Sequence, residues 1–240
     1  MGNFSTNKIQ LNSNGFTIIE RLYSTGDIAQ MQAKINNADS TKPAFRKTSE
    51  LFAIRQFLKE VPEIVPIIFN DKLKSVIAEL FGTDYFVVKS IYFDKPEQSN
   101  WFVSYHQDLT ISVDKKIDVP GYTSWTIKQN QFAVQPPVSL SENIFTIRIH
   151  LDDTDENNGA LKVVPKSHLT GIYRPENIDW EMEKEIICKV KSGGIMATQP
   201  LLLHSSSRTI NNNKRRVIHI EFSNDELPKG INWAERMKID

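Results

Sequence analysis

His106-Gln107-Asp108, answered much later in the chain by His204 and then Arg215, carries the most specific chemistry in this sequence. Two imidazoles and one carboxylate form the donor set that binds ferrous iron on one face and leaves the opposite face open. An arginine shortly after the second histidine suits a dicarboxylate, because its planar fork grips a carboxylate through two parallel hydrogen bonds. If Trp101 to Asp108 is extended, alternate residues share a side, so His106 and Asp108 converge while Gln107 faces away or lines the rim. As a bare pattern His-x-Asp is weak, and His150-Leu151-Asp152 repeats it as a rival pair. What favours the first pair is its setting: Trp101, Phe102 and Tyr105 precede it, and a polar loop, Thr110 to Asp118, follows. A histidine closing an apolar run such as Pro200 to His204 is more often a hydrogen-bonded core residue than a ligand. The polar tail Ser205 to Lys214 lifts it, since a hairpin-like connection there brings Arg215 back toward the same cavity. Taken alone, Arg215 reads equally well as a solvated strand-edge charge. His150, His168 and His219 are placed outside the ligand set, with His150 the weakest exclusion.

The elements that must hold these residues divide the chain in two. Its first third reads as helical. Asp27 is a plausible N-cap for 28–35, and the pattern recurs over Phe52 to Phe57 and Asp71 to Phe81, where Leu73, Val76, Ile77 and Leu80 form a stripe and Gly82 offers a C-cap. Beyond Gly82 the chain turns β-branched and aromatic. Tyr85 to Phe93, Phe145 to Leu151 and Arg216 to Phe222 read as strands, with shorter ones at Val163 to Pro165, Glu185 to Val190 and Pro200 to His204. Helices first and many short strands later, without βα alternation, exclude a doubly wound parallel sheet. They favour a two-sheet sandwich or jelly roll with N-terminal helices packed outside. No repeat or linker divides the sequence, so one domain is expected over 1–240, with 1–82 mostly helical and 85–222 the jelly-roll core.

Composition narrows the function classes. Lys+Arg and Asp+Glu both number 29, so no global positive field draws the chain to nucleic acid or an anionic membrane, and neither partner is expected. No apolar run approaches a membrane span, and the myristoylation-like start Met1-Gly2-Asn3-Phe4-Ser5-Thr6 has no supporting context. A single cysteine, Cys188, rules out an internal disulfide and suits a reducing cytoplasm. It reads as a strand residue.

With these residues in view, the chain resembles the phytanoyl-CoA dioxygenase-like branch of the Fe(II)/2-oxoglutarate-dependent oxygenases. The likeness runs through Asn14-Gly15-Phe16, Tyr105-His106-Gln107-Asp108, Val134-Gln135-Pro136-Pro137 and Arg148-Ile149-His150-Leu151-Asp152-Asp153. It continues through Asn158-Gly159-Ala160-Leu161, Val164-Pro165-Lys166-Ser167-His168, His204-Ser205-Ser206 and Arg215-Arg216. The resemblance implies a double-stranded β-helix, the cupin-like jelly roll, that is mainly β with N-terminal helices. It implies Fe(II) held by His106, Asp108 and His204, with 2-oxoglutarate and O2 as co-substrates. Arg215 would take the 5-carboxylate, Ser206 would hydrogen-bond the same end, and Trp125 would line the co-substrate pocket. Tyr92, Lys95 and Thr146 are further pocket residues on strands expected to face the cavity. The resemblance also sets aside His150 and Asp152 as ligands.

Where the family commonly has Pro-Gly-Ser-His, this chain has Lys166 in place of the glycine, a departure in a turn that touches no ligand. Asp108 stands where halogenating relatives carry a small residue, so hydroxylation of a small-molecule substrate, with release of succinate and CO2, is the implied outcome. Two alternatives stand beside it: a non-catalytic jelly-roll binding protein that keeps the metal site, and a zinc or cupin-like metalloenzyme without a keto acid. The loop from Thr110 to Gln131 is expected at the entrance. Its Lys115, Lys116 and Lys128 read better as solvated charges than as an anion site.

Overall fold

Strict alternation in three long strands sets the architecture, because each strand buries one row of side chains outward under helices and turns the other row inward. The computed structural model describes residues 4–49, 52–128 and 131–239. Its helices are α1 (Ser5–Asn14), α2 (Thr25–Asn36), α3 (Phe57–Glu60), α4 (Val65–Ile68), α5 (Asp71–Leu80) and α6 (Val138–Ser141). The strands are β1 (Phe16–Ile19), β2 (Phe45–Lys47), β3 (Phe52–Arg55), β4 (Phe86–Lys95), β5 (Val103–His106), β6 (Ile111–Val113), β7 (Thr123–Lys128) and β8 (Gln131–Gln135). They continue with β9 (Ile144–His150), β10 (Leu161–Val163), β11 (Ile186–Cys188), β12 (Ile195–Thr198), β13 (His204–Ser206), β14 (Arg215–Ser223) and β15 (Met237–Lys238).

The main sheet runs β1-β12-β9-β14-β4-β3-β2, with β15 also on β4. A second sheet runs β11-β10-β13-β5, and a third β6-β8-β7. Among the described residues, the strand pairings in all three are antiparallel. The first two sheets enclose the cavity described below, as in a jelly roll. On the outer face of the main sheet, Phe145, Ile147 and Ile149 of β9 and Ile218, Ile220 and Phe222 of β14 pack with Leu73, Val76, Ile77 and Leu80 of α5. Each such fully buried side chain contributes about 1.5–3 kcal/mol, so this seam is the main apolar anchor of the fold.

The N-terminal third departs from the helical expectation. β1 and the β3–β2 hairpin close opposite edges of the main sheet, pairing with β12 and β4. Phe52 to Phe57, read as helix, is strand: Ile54 lies opposite Tyr92 and is fully buried. Pairing with β4 overrides the local periodicity, and Gln56, at φ 50, ends the strand before α3. α2 starts earlier than expected. Ser24 is the N-cap and Asp27 is its capping-box partner, accepting from the Ser24 backbone N–H. α5 ends as predicted within a residue, with Phe81 as the cap and Gly82 following at φ 116.

Further on, Pro200 to Leu203 is a turn, and β13 begins only at His204. Lys166, the residue in place of the family glycine, takes the left-handed conformation that glycine favours, at φ 69. The myristoylation-like pattern begins at residues 1–3, outside the described residues. No helix among the described residues is long and apolar enough to cross a membrane.

Candidate metal centre and its cavity

β5 and β13 pair so that His106 and His204 stand directly opposite each other, and their rings lie 4.3 Å apart between centroids. Asp108 comes after the end of β5, and the strand alone does not place it. Its backbone N–H donates to the carbonyl of Pro200 at 3.3 Å. Gln107 points away from the cavity, donates to the carbonyls of Gly171 and Leu201 and accepts from the N–H of Tyr173. That three-way anchor turns the chain and swings the Asp108 carboxylate back beside the rings.

The result is a compact donor set. His106 Nε2 lies 3.8 Å from Asp108 Oδ1, and His204 Nε2 lies 3.7 Å from Asp108 Oδ2. All three donor atoms fall within 4.8 Å of one another. Those separations exceed hydrogen-bond length, so the groups surround a shared point without bonding each other. Each ring is fixed from behind: His106 Nδ1 sits 2.9 Å from the Ser104 carbonyl, and His204 Nδ1 sits 2.9 Å from the Leu202 carbonyl. A backbone oxygen accepts only from N–H, so Nδ1 carries the proton in each and Nε2 presents a bare lone pair. Burial pulls the His204 imidazole down to about 4, keeping it neutral and ligand-competent at neutral pH. Burial alone would raise the Asp108 carboxyl, but His204, Lys89, His219 and His106 overcome it and hold the group well below the usual carboxylate range. Two imidazoles that turn Nε2 to a shared point and one ionised carboxylate fit a divalent metal.

A second cluster shares Asp108 with His219 and Glu221. Its Glu221 and His219 Nε2 are already engaged: Glu221 accepts from Lys89 Nζ at 2.8 Å and lies 3.0 Å from His219 Nε2. Of the two clusters, His106, Asp108 and His204 turn two imidazole nitrogens and a carboxylate toward one shared point without bonding each other.

The donors open onto a cavity of about 420 Å³ between the two sheets. Arg215, at the start of β14, lines its inner end at 6% exposure, and its Nε has no partner. Burial, reinforced by Arg148, lowers this guanidinium to about 9. No carboxylate lies within 4.0 Å of it among the described residues. A buried cation left unpaired is costly, and an anionic ligand relieves the cost. Ser206 lines the same end, although its hydroxyl proton goes to the Gly159 carbonyl at 2.9 Å. A Cβ on Gly159, at φ +84, would stand 2.7 Å from Lys95 Nζ and 2.7 Å from the Ser207 carbonyl, so only glycine allows this close approach.

The remaining expected pocket residues separate by strand parity. On β4, Lys89, Ile91 and Phe93 line the cavity, so Lys95 shares their side. Its ammonium donates to the Ser207 carbonyl and sits 5.6 Å over the Trp101 ring, close to Gly159 and outside the lining itself. Burial, then Arg215, lowers it to about 7. Tyr92 has the opposite parity. It stacks on Phe57 in the helical layer and is no pocket residue. Thr146 lines an inner recess together with Asp108, Arg148 and His204. Trp125 lies on β7 and packs against the cluster of Phe86, Val88 and Trp233, away from the cavity. Of the segment 110–131, expected at the entrance, β6 and β7 lie in the third sheet, and no described residue of it lines the cavity.

The rival pair is split. His150 is buried with Nδ1 2.9 Å from Thr154 Oγ1, while Asp152 is held by Arg216 at 2.6 Å. His168 contacts the Asn12 carbonyl and packs so tightly on Gly15 that a Cβ there would come within 2.5 Å of its Nδ1. Cys188 is buried, and burial pushes its thiol up to about 12, so it is an inert strand residue. Sequence reasoning missed Arg55, Lys89, Arg148, His219 and Glu221 as lining residues. The signal was present, since His219 and Glu221 share the Arg215 face of β14 by alternation.

The family model of phytanoyl-CoA dioxygenase (PhyH) matches residues 11–217. No curated protein matches the chain in sequence. Among solved structures, the fold is similar to apo EctD from S. alaskensis (TM-score 0.71, 16% identity, covering 94% of this chain and 79% of that one). It is also similar to SnoK, a non-heme alpha ketoglutarate dependent carbocyclase from nogalamycin biosynthesis (TM-score 0.69, 14% identity, 91% and 83% covered). A third is HygX from Streptomyces hygroscopicus with nickel and 2-oxoglutarate bound (TM-score 0.64, 13% identity, 92% and 87% covered).

Proposed function

The chain belongs to the phytanoyl-CoA dioxygenase (PhyH) family, and from that premise we propose that it is an Fe(II)- and 2-oxoglutarate-dependent dioxygenase that hydroxylates a small molecule. One observation carries the reading. Two bare imidazole Nε2 atoms and an ionised carboxylate face one cavity, and an unpaired buried guanidinium stands at its inner end. His106, Asp108 and His204 hold the metal, and Arg215 receives the 5-carboxylate of 2-oxoglutarate in a forked contact. Ser206 lies beside that carboxylate once its hydroxyl turns from Gly159. Thr146 borders the inner recess next to Asp108 and His204.

A ferrous ion with chelated 2-oxoglutarate supplies the oxidising chemistry: the keto acid, O2 and a substrate C–H become succinate, CO2 and an alcohol. The chain's part is positional. The Ser104 and Leu202 carbonyls keep both imidazoles in the ligating tautomer, and Gln107 fixes the turn that presents Asp108. Retention of the Asp108 carboxylate supports hydroxylation, because that position of the metal is filled by protein. The same reading takes 1–240 as one catalytic domain in a cytoplasmic setting. SnoK, whose fold is similar, is named as a carbocyclase, so the product class is tested directly. Anaerobic titration with Fe(II) and 2-oxoglutarate should give the charge-transfer absorption of a chelated keto acid, and a small-molecule panel should then elicit succinate. Absence of that absorption at saturating metal and keto acid sinks the proposal.

A further inference from the structure

Arg215 is one of four cations on the cavity wall. The others, Arg55, Lys89 and Arg148, come from β3, β4 and β9, and against all four stand two carboxylates, Asp108 and Glu221. Lys89 is matched by Glu221 at 2.8 Å. Arg55 and Arg148 have no carboxylate within 4.0 Å among the described residues. Arg148 Nε is buried and unpartnered. Arg55 faces the like charge of Arg46, which adds to the lowering that burial imposes on it.

Register sets these two arginines on a row apart from Arg215. Arg148 lies opposite His219, His219 opposite Ile91, and Ile91 opposite Arg55. The four form one row across the main sheet, level with the metal ligands that neighbour His219. Arg215 is four residues away along β14, about 13 Å at strand rise. On the reading above, a ferrous ion adds two positive charges to the cavity and 2-oxoglutarate removes two. The loaded cavity thus keeps the surplus of two that the side chains started with, carried by the row rather than by Arg215. Buried charge without a partner is disfavoured, so a further anion completes the site.

We propose that the prime substrate is an anion, bearing a carboxylate or phosphate group that Arg148 and Arg55 hold beside the metal. This deepens the proposed function and rests on it. Guanidinium forks suit both kinds of group.

The test uses the full chain loaded anaerobically with Fe(II) and 2-oxoglutarate, titrated with butyrate, propyl phosphate and the neutral isostere butyramide. Binding is read from the shift of the charge-transfer absorption and from thermal unfolding. One or both anions should bind at least about tenfold more tightly than butyramide, and their ranking identifies the group. Arg55→Gln, at a half-buried strand end, should weaken anion binding about tenfold and leave the 2-oxoglutarate titration unchanged. Arg148→Gln should weaken it at least as much. Equal affinity for butyramide and both anions, or unchanged anion affinity in Arg55→Gln, overturns the proposal. If the charge-transfer absorption never forms in wild type, the co-substrate reading has failed on its own. Thermal titration of the metal-free chain with propyl phosphate, wild type against Arg55→Gln, then still decides the role of the arginines.

Discussion

At Glu221 the cavity neutralises its own charge, with Lys89 Nζ at 2.8 Å and His219 Nε2 at 3.0 Å. Earlier on the same strand, Arg215 is comparably buried and meets no carboxylate within 4.0 Å among the described residues. Both groups are desolvated, but only Glu221 takes its counter-charge from the chain. A buried ion pair with its lone pairs satisfied holds the architecture without help. A buried cation without a partner lowers the stability of the empty protein and is retained for what it binds. The difference separates the groups that build the barrel from those that await a ligand, and mutants at the two ends should carry opposite signatures.

The largest effect should fall between the two ends. His204→Ala removes a proposed metal ligand. Fe(II) affinity and succinate release should drop by more than about a hundredfold, the loss typical of merely outer partners of a ligand. Arg215→Met comes next and tests the unpaired end. Its 2-oxoglutarate affinity should fall about a hundredfold while Fe(II) affinity holds, and urea unfolding of the empty protein should show a gain of about 1–3 kcal/mol. Equal keto-acid affinity in mutant and wild type would remove Arg215 from the site. Glu221→Gln should invert both readings, with a stability loss of about 3 kcal/mol from stranding Lys89 and a 2-oxoglutarate affinity within a few-fold of wild type.

Acid sharpens the same contrast through the histidines. Burial holds His204 at about 4 and His150 at about 3, below the unfolded value near 6.5. Between these values the unfolded chain binds more protons than the folded one, so stability is present above pH 6.5 and lost as pH falls toward 4. Each histidine contributes a slope of about 1.4 kcal/mol per pH unit. Urea midpoints of the metal-free protein should follow it, and His150→Gln should remove one histidine's share. An unchanged slope in His150→Gln would mean that His150 is already hydrated in the folded state.

Much of this contrast is legible in the sequence, and the gaps have physical causes. That His106, Asp108, His204 and Arg215 share one cavity could be read because each sits at or beside a strand terminus next to a polar loop. Helix α5 and strands β9 and β14 were plain from period alone. The β3 hairpin was not, since Phe52 to Phe57 satisfies a helical period, and only pairing with β4 decides against it. Tyr92 and Lys95 were both placed in the pocket although an odd separation on one strand puts them on opposite faces. Parity alone would have rejected one, and it would have promoted Arg148, His219 and Glu221. Trp125 failed for a different reason. Its place depends on how the third sheet docks, which no local pattern encodes.

The smallest expected effect tests how far the unpaired end extends. Lys95 stands close to Gly159, outside the cavity lining, and is lowered to about 7 by burial and by Arg215. An incoming 2-oxoglutarate carboxylate near Arg215 favours the charged form of Lys95. Keto-acid binding therefore takes up a proton once the pH exceeds the ligand-free value, and affinity must fall as pH rises from 6 to 8. The ceiling is about tenfold per pH unit for a single linked proton, and an ammonium outside the lining should give only a few-fold. Anaerobic Fe(II)/2-oxoglutarate titrations at several pH values should show this slope in wild type and a flat line in Lys95→Met. A matching slope in both proteins would confine Lys95 to holding the Ser207 carbonyl and leave Arg215 as the sole cation of that end.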